Sequence, residues 1–179
     1  SDFFSKLTPW DLRVRHIEGG GRLSYRNRYK NSRVEITKKQ KDELQELIHY
    51  VDTDLGVGGS VLGKMPWKIV CYDGDIEGRL CHTIGDIIMF PIEYFKYTKK
   101  RKVGLLIHEK IHVLQRAYPD WAENVTKKMG FVKVGKQDDG SLGWMEEIRR
   151  HNPDLNSYDY GLKNGVGSIL DHDGRIVEL

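Results

Sequence analysis

The sequence predicts an α+β fold in a single domain of residues 1–179. Helical apolar stripes are mixed with short apolar runs bounded by turn residues, without a repeated strand–helix unit. The composition, 39% apolar and 31% charged, is typical of a folded globular protein. The net charge of +3 does not by itself indicate nucleic-acid binding. No run approaches the roughly 18 apolar residues of a membrane span, so no membrane association is expected.

The first 35 residues differ in character from the remainder of the chain. Residues 1–35 are expected to be basic and irregular, because they hold Pro9 and three consecutive glycines at 19–21. Residues 36–179 are expected to form the core, which begins with a helix capped by Thr37. The apolar stripe of this helix consists of Leu44, Leu47, Ile48 and Val51.

The central part of the chain predicts two strands followed by two helices. The short apolar runs 67–72 and 86–90 are typical of strands, and Pro91 ends the second. The pattern then predicts one helix over 98–117 and another over 120–129.

The C-terminal part predicts smaller elements. We expect a hairpin through 138–140, a short helix near 144–150 and a last hairpin that turns at 173–174. The acidic run around His172 resembles a set of metal ligands, but a hairpin turn explains it more simply.

The helix predicted over 98–117 carries the pattern H-E-x-x-H, formed by His108, Glu109 and His112. Side chains four residues apart lie on one helix face, about 5–6 Å apart at Cβ, so both imidazoles can bind one zinc ion. Glu109 lies at the edge of that face, within reach of a metal-bound water. The alternative is a solvated helix face with two incidental histidines. The opposite stripe, expected to be buried, consists of Val103, Leu106, Ile107, Ile111 and Leu114.

This pentad resembles the active-site helix of the zincin metallopeptidases. The resemblance implies a zincin-like domain whose active-site helix packs on a small mixed or antiparallel sheet, with Zn²⁺ as cofactor and a protein or peptide as substrate. It also implies an upstream edge strand, for which 86–90 is the candidate. The longer pattern H-E-K-x-H-x-x-Q-R, with His82-Thr83 upstream and Asn152-Pro153-Asp154 downstream, is similar to a group of uncharacterised zincin-like proteins.

A catalytic zinc site needs a third protein ligand. The residues after His112 do not continue with the glycine and histidine of one zincin class, so that arrangement is excluded. Asp154 is the favoured ligand, although residues 152–154 are equally typical of a plain turn. The alternatives are Glu146, Glu147, His151 and Glu123.

The resemblance assigns a role to Glu109 and leaves the oxyanion donor open. Glu109 is expected to act as general base on a water whose pKa zinc lowers to about 7. The candidates for the donor to the oxyanion are Tyr160 and His82, with Tyr158 as a further possibility. The structural alternative for His82 is a hydrogen-bonded histidine at the end of a strand.

A second functional class is a non-catalytic zincin-fold binding protein that contacts nucleic acid through its basic N-terminal segment. Residues 22–41 hold eight Lys or Arg against one acid, with Tyr25 and Tyr29 interleaved, a mixture that suits single-stranded nucleic acid. A solvated basic surface is the favoured interpretation. Residues 96 and 99–102 form a second basic cluster.

The two cysteines, Cys71 and Cys81, are too few for a disulfide scaffold, so buried thiols are expected. The first six residues show no basic head followed by an apolar stretch, so no signal peptide is predicted and a cytoplasmic location is expected. The sequence predicts no particular oligomeric state.

Overall fold

A computed structural model describes residues 3–17, 19–134, 153, 159–162, 168–170 and 176–178. The helices are α1 (Phe3–Lys6), α2 (Pro9–Val14), α3 (Gly21–Asn31), α4 (Lys38–Thr53), α5 (Lys99–Ala117) and α6 (Pro119–Lys128). The strands are β1 (Ile69–Tyr72), β2 (His82–Ile84), β3 (Ile87–Pro91), β4 (Phe131–Val134), β5 (Asp159–Leu162), β6 (Ser168–Leu170) and β7 (Ile176–Glu178). The predicted α+β class is confirmed.

The central sheet has three strands in the order β1-β3-β2. β1 pairs with β3 in parallel, and β2 pairs with β3 antiparallel, with His82 opposite Met89 and Thr83 opposite Ile88. The prediction of an edge strand at 86–90 is therefore wrong. That strand pairs on both sides and occupies the centre, whereas β2, which the sequence did not predict, forms an edge.

The sheet separates two apolar clusters because successive side chains of a strand point to opposite faces. α4 and α5 cover one face and the N-terminal helices cover the other. The buried residues of the first cluster are Leu44, Leu47, Val51, Cys71, Ile88, Phe90, Tyr94, Leu106 and Val113. Those of the second are Leu7, Tyr25, Tyr29, Tyr72, Ile76 and Met89.

The two long helices on the first face begin where the sequence predicts. Thr37 caps α4 in a reciprocal arrangement with Gln40, and the Thr98 hydroxyl accepts from the backbone N–H of Arg101 at the start of α5. α5 runs for 19 residues and ends before Pro119, which begins α6. A buried ion pair between Lys102 and Glu43 ties α5 to α4.

The expectation that residues 1–35 are irregular is wrong, because α1, α2 and α3 lie there. The Thr8 hydroxyl caps α2 by accepting from the Asp11 backbone N–H, and the Asp11 carboxylate accepts from the Thr8 backbone N–H. Pro9 occupies the first turn. In α3, Tyr25 and Tyr29 lie one turn apart and are both buried, which anchors this helix on the sheet.

The C-terminal part is described only as strand pairs. β4 pairs antiparallel with β5, and β6 pairs antiparallel with β7 on either side of the predicted turn at 173–174, as a hairpin requires. The hairpin expected at 138–140 and the helix expected near 144–150 lie outside the described residues. Among the described helices, none combines the length and apolarity needed to cross a membrane.

Candidate metal centre

The two imidazole rings of the pentad lie side by side along α5, and their Nε2 atoms face each other. His108 is exposed and His112 is half-buried. Their Nε2 atoms lie 3.1 Å apart, and their ring centroids are separated by 4.7 Å. Two imidazole ligands of a tetrahedral zinc ion, with Zn–N bonds of about 2.0–2.1 Å, have their nitrogens about 3.4 Å apart. The pair therefore fits the donor spacing of a zinc site.

Gln115 orients His112. Its Oε1 atom lies 3.0 Å from His112 Nδ1. Because an amide oxygen only accepts, Nδ1 carries the proton and the Nε2 lone pair is directed towards the shared position. An outer hydrogen bond of this kind is usual for metal-ligating histidines. The sequence analysis missed this residue, although a glutamine three positions after a histidine lies within reach of it on a helix.

Glu109 is only 2% exposed, yet it lines the same cleft as His108. The buried face of α5 is rotated from the predicted stripe. Leu106 and Leu114 are buried as expected, but Val103, Ile107 and Ile111 are half-buried. The other buried residues of α5 are Lys102, Glu109, Lys110 and Val113. Glu109 thus lies at the boundary between the core and the cleft.

The cleft has a volume of about 680 Å³. One wall is the segment before β2, with Leu80 and Cys81. The other wall is the first half of α5, which contributes Lys100, Arg101, Gly104, Leu105, His108 and Glu109. The histidine pair therefore adjoins an open space between a helix and the approach to an edge strand.

Lys110 holds the middle of α5 against the segment before β1. Its Nζ donates to the Met65 carbonyl and lies 3.8 Å from the centre of the Trp67 ring. Burial lowers the pKa of this ammonium group, although the Asp52 carboxylate acts in the opposite direction. Since Lys110 follows Glu109 directly, these contacts fix the helix at the pentad.

Arg116 connects the end of α5 to two other segments. Its guanidinium donates to the Gly85 carbonyl at 2.8 Å, to the Thr83 hydroxyl, and to the Pro153 carbonyl at 3.4 Å. Pro153 is buried. Arg116 follows His112 by one helical turn, so the end of the pentad helix is bonded both to the β2–β3 turn and to Pro153.

His82 lies on the opposite face of the sheet from α5. The register places Thr83 on the α5 side, where it meets Arg116, and turns His82 towards the N-terminal helices. His82 is 2% exposed, and its Nδ1 lies 2.8 Å from the Leu80 carbonyl and its Nε2 3.1 Å from the Tyr29 hydroxyl. The structure therefore does not bring His82 to the candidate site, and its contacts are those of a hydrogen-bonded structural histidine.

The other predicted ligands are not brought to the pair in the described structure. Glu123, on α6, pairs with Lys127. Asp154, Glu146, Glu147, His151 and Tyr158 lie outside the described residues. Tyr160 lies opposite Lys133 in β5, and its side chain falls outside the description. Among the described residues, no group of three His, Cys, Asp or Glu could hold a metal ion.

The tyrosines of the basic segment do not form a stacking surface. Tyr25 and Tyr29 are 1% and 5% exposed. The Tyr25 hydroxyl donates to Glu77 at 2.6 Å. Burial, followed by the negative charge of Glu77, raises the pKa of both phenols, so they remain donors. Both rings belong to the core, so they do not supply the stacking surface that the less favoured nucleic-acid interpretation would use.

Comparison with known proteins gives no assignment. The chain matches no model of a known protein family, and no curated protein or solved structure matches it significantly. The interpretation of the site therefore rests on its own geometry.

Proposed function

We propose that the protein is a zinc-dependent peptidase that hydrolyses peptide bonds in the cleft beside α5. The observation that carries the proposal is the convergence of His108 Nε2 and His112 Nε2, 3.1 Å apart, next to a glutamate that lines the same cleft. Two imidazoles supply two of the three protein ligands of a catalytic zinc site, and a neighbouring carboxylate can serve as the general base.

His108 and His112 would hold the zinc ion, with Gln115 fixing the tautomer of His112. When bound, zinc would lower the pKa of a water molecule and polarise the scissile carbonyl. Glu109 would take the proton of the attacking water and return it to the leaving amine. Its nearly complete burial limits competing water around the carboxylate.

Asp154 remains the favoured third ligand. Asp154 directly follows Pro153, whose carbonyl accepts from the guanidinium of Arg116, one helical turn beyond His112. Tyr160 remains the candidate donor to the oxyanion.

Zinc content and turnover test the proposal separately. Elemental analysis should give one zinc per chain, and His108→Ala should abolish binding, whereas His49→Ala, an exposed histidine on α4, should not. Glu109→Gln should retain zinc and lower peptide hydrolysis by about 10²- to 10⁴-fold. Glu46→Gln, an exposed glutamate on α4, is its matched control.

Two outcomes would contradict the proposal. If the protein holds no zinc after reconstitution, His108 and His112 do not form a zinc site. Stoichiometric zinc with no hydrolysis by the unmodified chain would instead support the alternative, a non-catalytic binding protein that keeps the metal.

A further inference from the structure

The cleft beside α5 is lined by two cations at one end and by a histidine and a glutamate of the pentad at the other. His108 and Glu109 line one end, and Lys100 and Arg101, about two turns nearer the start of the helix, line the other. Leu105 lies between them along the helix, and Leu80, 68% exposed, lines the cleft on the opposite wall. A ligand that extends from the histidine pair along this cleft therefore meets apolar surface first and cations next.

Among the residues that the structure describes, Lys100 and Arg101 form no ion pair, and the carboxylates of Glu93 and Glu43 bind other cations. Glu93, in the turn after β3, binds Arg79 at 2.9 Å. Glu43, on α4, binds Lys102 on the buried side of α5. Lys100 and Arg101 are both exposed, and Arg101 is held over the Tyr97 ring at 4.2 Å. The rim thus presents two exposed cations, of which Arg101 is held in place by the Tyr97 ring.

Gly104 widens the path between the two ends. It lies in the interior of α5, where glycine is unfavourable for helix stability. A Cβ at this position would meet no atom within 4 Å, so packing does not require glycine here. Because Gly104 has no Cβ, the backbone of an extended ligand has room to approach the helix here.

We propose that the cleft selects peptides with an acidic residue roughly three to four positions from the bond that is cleaved, recognised by Lys100 and Arg101. This inference rests on the proposed peptidase function. Seven to eight helical residues separate the cations from His108, which corresponds to about 10–12 Å along the axis. An extended peptide covers that span in roughly three to four residues at about 3.3 Å each.

Two measurements on the zinc-loaded full chain test the inference. Cleavage of matched peptides with Glu, Gln or Lys at the third and fourth positions on either side of the scissile bond gives the preference. Glu should raise kcat/KM over Gln by roughly three- to tenfold, as expected for two exposed ion pairs. Binding of the same labelled peptides to Glu109→Gln, followed by fluorescence anisotropy, reports recognition without turnover.

Charge reversal tests whether Lys100 and Arg101 are the residues that recognise the acidic side chain. Lys100→Glu with Arg101→Glu should reverse the order of the Glu and Lys peptides in both measurements. Lys38→Glu with Lys39→Glu makes the same change in the first turn of α4, also after a capping threonine but away from the cleft, and should preserve the order. The preference should also weaken at high salt, because exposed charges are screened.

The outcomes separate the two proposals. Selective binding of acidic peptides without hydrolysis contradicts the peptidase function and supports the recognition of an acidic residue by Lys100 and Arg101. Hydrolysis with equal rates for Glu, Gln and Lys peptides supports the peptidase function and overturns the recognition. Unchanged selectivity in the charge-reversed cleft variant also overturns the assignment to Lys100 and Arg101, and a protein that neither binds nor cleaves contradicts both.

Discussion

The side chain of Gln115 helps to orient His112 through its contact with Nδ1. Gln115→Ala should lower zinc affinity by about 10- to 100-fold, because the ring loses the contact that fixes its tautomer. Competition with a chromophoric chelator measures the change. Gln115→Glu keeps an acceptor at the same position and should bind zinc at least as well as the unmodified chain. Equal affinity in the alanine variant would show that other contacts orient the ring.

The two cysteines should differ in reactivity. Burial raises the pKa of Cys71 to about 11, so at pH 8 only about one thiol in a thousand is the reactive thiolate. Cys81 is half-buried and lines the cleft. Iodoacetamide at pH 8 should therefore modify Cys81 first, and modification of Cys71 should accelerate as the pH rises towards 11. Peptide mapping by mass spectrometry identifies the order, and faster labelling of Cys71 would contradict it.

Single residues could be predicted where the interaction is local. His108 and His112 share a face because helix geometry alone puts them there, and the spacing was sufficient to find them. The side on which His82 lies depends on the pairing of β2 with β3. A shift of one residue in that register would turn His82 towards α5, so no local pattern could decide its role.

The elements show the same division between local and long-range information. α4 and α5 have capping threonines and long apolar periods, and the start of α4 and both ends of α5 were predicted within one residue. β2 has only three residues, too few to show an alternating pattern. The capping box of Thr8 and Asp11 was present in the sequence and could have revealed α2. In contrast, α3 begins at a glycine without a side-chain cap, and no local pattern indicated that its two tyrosines are buried.

Two glycines should respond oppositely to substitution by alanine. Gly104→Ala should stabilise the protein by about 0.5–1 kcal/mol, because it improves the helix and its methyl group meets no atom. Gly130→Ala should destabilise it by about 1–2 kcal/mol, since φ is +87° after the end of α6. Urea denaturation measures both. The Gly104 variant should also bind peptides more weakly if the cleft admits a backbone there, and unchanged binding would contradict that role.

At the scale of the whole molecule, a buried ionic network joins the N-terminal helices to the segment before β2. Arg15 binds Glu77 at 2.8 Å and Asp11 at 3.1 Å. Tyr25 donates to the same glutamate, and Tyr29 lies between Glu77 and His82. The segment from Glu77 to β2 also forms a wall of the candidate cleft, through Leu80 and Cys81. The network therefore couples the packing of the N-terminal helices to the position of that wall.

This coupling predicts that Glu77→Gln is strongly destabilising. Removing one partner leaves the Arg15 charge buried with less compensation, which costs about 3–5 kcal/mol of unfolding free energy. Glu93→Gln breaks the exposed pair with Arg79 and should cost less than about 1 kcal/mol. Urea denaturation followed by circular dichroism compares the two variants. Arg15→Met combined with Glu77→Gln should cost less than the sum of the single changes, because the cation and the carboxylate that it binds are removed together, while Asp11 still accepts from Thr8. Equal effects of Glu77→Gln and Glu93→Gln would mean that solvent reaches the network and that it does not anchor the N-terminal helices.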